Sequence, residues 1–225
     1  MEIIADLQIH SKYARATSKN INIENLEKYA RIKGINILGT GDFTHPVWIK
    51  ELKNKLIEDE TGILKTKSGF NFLFQTEISN IYTQDGKQRR IHNILLAPNF
   101  ETVEQIIEKL SKKGRLDYDG RPIFGFNCVE LIELLKGINE HIEIIPAHVW
   151  TPWYNNNSRN ICIGMDDKQG TILAKLWSFR GSYFSTRIFK FLCKKQCYAR
   201  AFSYFLSSVF CSCSEQSLYS LRISL

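Results

Sequence analysis

The stretch Ile3-Ile4-Ala5-Asp6-Leu7-Gln8-Ile9-His10-Ser11 decides how the rest of the chain is read. An apolar run gives way to alternating polar side chains, which predicts a buried strand whose last residues emerge at a site. Asp6, Gln8 and His10 have one strand parity and are predicted to share one face. A carboxylate, an amide and an imidazole at a strand exit suit a metal ion or a phosphate. Taken alone, the stretch is better read as an amphipathic first strand with a surface histidine. Its recurrence downstream favours the site.

Asn22 is placed to cap a helix through Ile23, Leu26 and Ala30, which Gly34 ends. A second strand, Ile35 to Asp42, again finishes on a carboxylate. Pro46 follows as a first helical residue after His45, and Val47, Ile49, Leu52 and Leu56 give that helix its apolar side. Phe70 to Glu77 is a third strand ending on a carboxylate. Asp85-Gly86 marks a turn, and Arg89 to Pro98 reads as a strand with His92 near its polar start. Thr102 and Gln105 match a capping box before the stripe Val103, Ile106, Ile107 and Leu110. Gly114 to Pro122 is read as a connection to Ile123-Phe124-Gly125-Phe126. Asn127 with Glu130 starts another helix, which Gly137 closes, and His141 to His148 is a strand ending on histidine.

Strands thus alternate with helices, and ligand-type residues recur at strand ends: His10, Asp42, Glu77 and His148, with His92 nearby. A parallel α/β barrel gathers its chemistry on that rim, because loops from separated parts of the chain converge there. Imidazole and carboxylate donors together suit Zn²⁺, Mn²⁺ or Fe²⁺, and a bridging carboxylate lets two ions act on one phosphate. His45 is expected to start a helix and His141 to lie on the surface.

The 225 residues carry a formal charge of +7, unevenly spread. Residues 1–154 hold 20 of the 30 Lys and Arg and 20 of the 23 Asp and Glu, together with every proline and histidine. Residues 155–225 hold the other 10 basic and 3 acidic residues and five of the six cysteines. No apolar run is long enough to span a bilayer and the start lacks a signal peptide's order, so a cytoplasmic chain without a membrane or protein partner is expected.

Asp6-Leu7-Gln8-Ile9-His10-Ser11, Gly41-Asp42, Glu77, His92 and Pro146-Ala147-His148 resemble the successive motifs of the PHP (polymerase and histidinol phosphatase) superfamily. Gly39-Thr40-Gly41-Asp42-Phe43-Thr44-His45-Pro46, Gln75-Thr76-Glu77-Ile78-Ser79 and Pro146 to Trp153 resemble most closely its endonuclease Q family, over residues 1–153. The resemblance implies a distorted (β/α)₇ TIM-like barrel. It also implies a metal-dependent DNA repair endonuclease, cutting 5′ of deaminated bases (uracil, hypoxanthine, xanthine) or abasic sites. A helicase is not implied, since no Gly-x-x-x-x-Gly-Lys-[Ser/Thr] loop occurs.

Carried over, the resemblance makes His10, Asp42, Glu77, His92 and His148 ligands of divalent metal, Zn²⁺ first with Mg²⁺ or Mn²⁺ as alternatives. Glu77 is then the bridge, and Glu77, His10 and Asp42 are catalytic. Gln8 stands where the superfamily has histidine and is a weak ligand at best. Lys12, Arg15, Arg89 and Arg90 are candidates for DNA phosphate contacts, or for solvated surface. The superfamily's last Asp-x-His motif is missing, as no histidine follows His148. The barrel is therefore expected to be truncated before its last strands. The chain is then an inactive fragment, with 155–225 an out-of-frame tail. Cys193-x₃-Cys197 and Cys211-x-Cys213 are the alternative, as a poor zinc module, alongside a membrane-surface segment or a basic nucleic-acid arm. A PHP phosphomonoesterase and a non-catalytic remnant stay open as functions.

Overall fold

The computed structural model describes residues 3–84, 86–147 and 220–223. The expectations for His148, the cysteine pairs and the rest of the tail lie outside the described residues. The described chain is mixed α/β, with four helices and nine strands joined in one hydrogen-bonded sheet. Among the described residues no helix is long and apolar enough to cross a membrane.

Strand β1 (Ile3–Asp6) pairs in parallel with β2 (Ile37–Gly39), and β2 in parallel with β5 (Asn71–Gln84). The crossovers carry helix α1 (Ile23–Ile32) and helix α2 (Pro46–Lys55). Asn22 caps α1 by accepting from the Asn25 N–H, and His45 caps α2, its Nδ1 accepting from the Val47 N–H. Trp48, Ile49 and Leu52 form the buried side of α2, whereas Val47, expected inside, is half exposed. A small hairpin, β3 (Ile57–Glu58) and β4 (Leu64–Lys65), follows α2 and adds its second strand to β5.

β5 and β6 (Lys87–Ala97) form a long antiparallel hairpin closed by two residues, Gln84 opposing Lys87. This departs from the expected alternation of parallel strands and helices. A two-residue turn has no room for a crossover helix, so the returning strand must run antiparallel. Beyond it, helix α3 (Phe100–Ser111) starts earlier than the Thr102 capping box predicts, because the Asn99 side chain accepts from the Thr102 N–H. The short β7 (Ile123–Phe124) pairs in parallel with β5. Helix α4 (Cys128–Ile138) is capped by Asn127 as expected, but runs one residue past Gly137. β8 (Glu143–Pro146) pairs antiparallel with β6, and β9 (Ser220–Ile223) antiparallel with β1 at the sheet edge.

Side-chain alternation along β5 divides the protein. Phe72, Phe74 and Ile78 join the main core with Trp48 and Leu52 of α2, Val103 and Ile106 of α3, and Leu131 of α4. Burying each such side chain contributes roughly 1.5–3 kcal/mol. Leu73 instead packs against Ile3, Ala5 and Ile37 on the opposite face. Gln75 and Glu77 have the parity of Leu73, so they face away from the helices.

Candidate active site

β1 ends at Asp6, and Leu7 to His10 leave it as irregular chain. Of the face predicted for Asp6, Gln8 and His10, the last two both reach Glu77 Oε2. Asp6 turns back locally, its carboxylate accepting from the Gln8 N–H, and burial raises its pKa. His10 is positioned by β2. Thr40 is tied to β5 by reciprocal bonds with the Gln75 backbone, and Trp48 Nε1 donates to the Thr40 and Gly41 carbonyls at 3.0 and 2.8 Å. At Gly41 (φ 65°) a Cβ would lie 3.0 Å from the His10 carbonyl carbon and 3.1 Å from Ser11 N, so only glycine allows this approach. Asp42 follows at φ 41°, strained for a side chain with a Cβ, and delivers its carboxylate inward.

The buried Asp42 carboxylate is fully engaged. One oxygen accepts from Ser11 N at 2.6 Å and from Ser11 Oγ at 2.8 Å, and the other faces His10 Nδ1 at 2.9 Å. His10 Nε2 then meets Glu77 Oε2 at 3.1 Å, and His92 Nδ1 meets Glu77 Oε1 at 2.7 Å. Gln8 Nε2 reaches Glu77 Oε2 at 3.5 Å. Glu77 has no solvent exposure. Thus His10, Asp42, Glu77, His92 and Gln8 come together, while His148 lies outside the described residues.

Burial works against an imidazolium at His10, but Asp42 and Glu77 outweigh it and raise its pKa to about 9. A folded-state pKa above the ordinary 6.5 stabilises the fold fully below pH 6.5, and the gain is lost as pH rises through about 9. For the metal-free chain the loss should reach about 3 kcal/mol between those limits. Urea unfolding in EDTA at pH 6 and pH 10 checks this. An equal pH slope in His10→Gln would remove His10 as its cause.

The donor chemistry fits a divalent metal. Two imidazoles flank both oxygens of one buried carboxylate, and Asp42 takes the Nδ1 side of His10, so Nε2 is the atom that would face a metal. In this structure those donors lie close to one another, at 2.9, 3.1 and 2.7 Å. Among the described residues, no three His, Cys, Asp or Glu side chains surround a common cation position.

The four cations singled out in the sequence separate. Lys12 pairs with Glu51 at 2.7 Å and lies over the Tyr13 and Trp48 rings. Arg15, largely exposed, pairs with Asp119 at 3.3 Å. Arg90 opposes Ile81 while His92 opposes Ser79, so strand parity puts exposed Arg90 on the face of Glu77 and His92. Arg89 lies on the other face. His45 is a buried helix cap stacked on Tyr13 at 4.2 Å, and burial lowers its pKa, which suits an accepting Nδ1. His141 is partly exposed beside Glu140.

A segment read only as a connection forms the other wall. Asp119 Oδ1 accepts from the N–H groups of Arg15 and Arg121, and the Gly120 N–H donates to the Tyr13 carbonyl. Arg121 Nη1 lies 3.7 Å from Glu77 Oε1. The run Asp119-Gly120-Arg121-Pro122 carried the signal: a turn dipeptide beside a cation fixed by proline.

The fold is similar to that of lesion-specific DNA endonucleases of the endonuclease Q type. The lesion-specific endonuclease PfuEndoQ from Pyrococcus furiosus superposes with a TM-score of 0.60 at 29% identity, over 69% of this chain and 36% of its own. Endonuclease Q in complex with a 27-mer duplex substrate with an abasic lesion at the active site gives 0.60 at 31% identity, over 68% of this chain and 36% of its own. An uncharacterized protein of Methanocaldococcus jannaschii is 36% identical over 148 residues, 65% of this chain but only 16% of that protein. No protein-family model matches. The chain thus spans about a third of the solved structures and a sixth of the curated relative.

Proposed function

We propose that the described residues form the first part of a distorted (β/α)₇ barrel of the PHP superfamily, and that their site is that of a metal-dependent DNA endonuclease acting at damaged positions. The observation carrying this reading is Glu77, a fully buried carboxylate shared between His10 and His92, in a chain that superposes on a lesion-bound endonuclease. A divalent ion, zinc being the best match to these donors, would be held by His10, Glu77 and His92. When bound, it supplies Lewis-acid polarisation of a phosphoryl oxygen and a water acidic enough to react near neutral pH. Asp42 orients His10 rather than ligating, since its oxygens are already spent on Ser11 and His10. Gln8 steadies Glu77 from the side. Arg90, on the site face of the hairpin, is the best placed of the four cations to follow a DNA backbone. An unpaired or missing base costs little to unstack, which is how an abasic or deaminated site is singled out.

With no histidine after His148, the donors available suit one ion better than the two a phosphodiester cut uses. The chain is therefore expected to bind an abasic-analogue duplex in preference to the intact duplex, without multiple-turnover nicking. Fluorescence anisotropy and a nicking gel on the same duplexes check both halves. Equal affinity for intact and abasic DNA overturns the endonuclease reading, and rapid nicking overturns the inactive-fragment reading. Release of phosphate from small monoesters would favour the phosphomonoesterase instead.

A further inference from the structure

The Asp119–Pro122 turn places a guanidinium near a fully buried carboxylate of the site, Glu77. Its backbone is fixed on both sides of Arg121: Gly120 N–H bonds the Tyr13 carbonyl, and the Pro122 carbonyl accepts from the Ser79 N–H. The Asp119 side chain accepts from the Arg121 N–H itself. Gly120 packs directly against the Asp42 carboxylate, where an added Cβ would lie 2.2 Å from Oδ2. Arg121 thus reaches the cluster from a rigid anchor. Its side chain is 30% exposed whereas Glu77 has no exposure, so Arg121 links the buried carboxylate to solvent. At 3.7 Å its contact with Glu77 is an ion pair at long range, not a saturated fork, and a guanidinium has five N–H donors to place.

We propose that Arg121 is the phosphate-binding residue of this site, offering its outward N–H groups to the non-bridging oxygens of a backbone phosphate beside Glu77. That the phosphate belongs to DNA rests on the endonuclease reading above; the anion-binding role does not. The fixed turn holds the planar fork where bidentate contact with a tetrahedral oxyanion needs no loop ordering. Cation and carboxylate then divide the work, Glu77 facing metal and Arg121 facing the negative charge of the substrate.

Equilibrium dialysis of micromolar radiolabelled inorganic phosphate against the full chain, carrying stoichiometric Mn²⁺, tests this. Arg121→Gln should weaken phosphate binding about tenfold or more, the equivalent of one charge-assisted bond. Arg121→Lys should recover part of it, since it keeps the charge and loses the fork. Binding of the abasic-analogue duplex should weaken in parallel, with a shallower salt dependence by about one phosphate contact. A cation that merely neutralises Glu77 would instead show a lower melting temperature or less bound Mn²⁺, with phosphate affinity per loaded chain unchanged. That result, or a wild-type chain that binds no phosphate, overturns the proposal. If phosphate binding depends on Arg121 while lesion and intact duplexes bind alike, the anion site stands and the endonuclease reading falls.

Discussion

Glu77→Ala should lower the unfolding free energy of the metal-free chain by about 3–5 kcal/mol, the usual cost of removing one member of a buried charged group. The carboxylate is buried and shared by His10, His92 and Arg121, so truncation leaves three cationic or donor groups facing one another. Glu77→Gln keeps the volume and hydrogen-bonding capacity, so its unfolding cost should be smaller. Both variants should fail to retain stoichiometric Mn²⁺ or Zn²⁺ through gel filtration, because the shared anionic donor is gone. Urea unfolding in EDTA and metal analysis of the eluted protein check the two effects separately. Wild-type stability together with full metal retention in Glu77→Ala would remove it from the centre of the site.

Gly120→Ala should damage the same region without replacing an ionisable group. A Cβ at position 120 would lie 2.2 Å from Asp42 Oδ2, 2.5 Å from its Cγ and 3.0 Å from Ala14 N. The carboxylate cannot retreat, since it is held by both Ser11 donors and by His10. Destabilisation of about 3 kcal/mol is expected, at the upper end for overpacking by one methyl. In the metal-free protein His10 should also lose its elevated pKa, as Asp42 is driven from Nδ1. An NMR titration of the His10 ring in EDTA reads that second effect. An unchanged titration at full stability would show that the turn yields freely, and that Asp42 and residue 120 are not packed as described.

How far the sequence alone reached follows from what each signal measures. Helix caps at Asn22 and Asn127 were legible because capping is local: one side chain meets a backbone donor three residues on. His10, Asp42, Glu77 and His92 were legible as a set, and Gln8 and His10 do meet Glu77 together, but Asp6 turns back locally. Strand periodicity cannot say where a strand stops, and β1 stops at Asp6. His10 reaches Glu77 through the Gly41–Asp42 corner, a tertiary contact between residues far apart in sequence. The expected run of parallel strands failed at Asp85-Gly86. That dipeptide was seen as a turn, but its consequence for strand direction was not followed. Val47 was taken as core and Trp48 passed over, because an apolar pattern gives spacing, while rotation about the helix axis is set by what it packs on. Arg121 went unseen because it stands in a polar connection, where neither period exists to single it out.

The two-residue closure of the long hairpin has a further consequence, for alignment. Glu77 opposes Ile94 and His92 opposes Ser79, a register counted back residue by residue from Gln84 and Lys87. Sliding one strand by a single step relative to the other would move His92 to the opposite face from Glu77, because successive side chains alternate. The turn therefore acts as a length gauge for the chemistry. Two donors from different strands are kept in step by a count of residues made at the hairpin's far end.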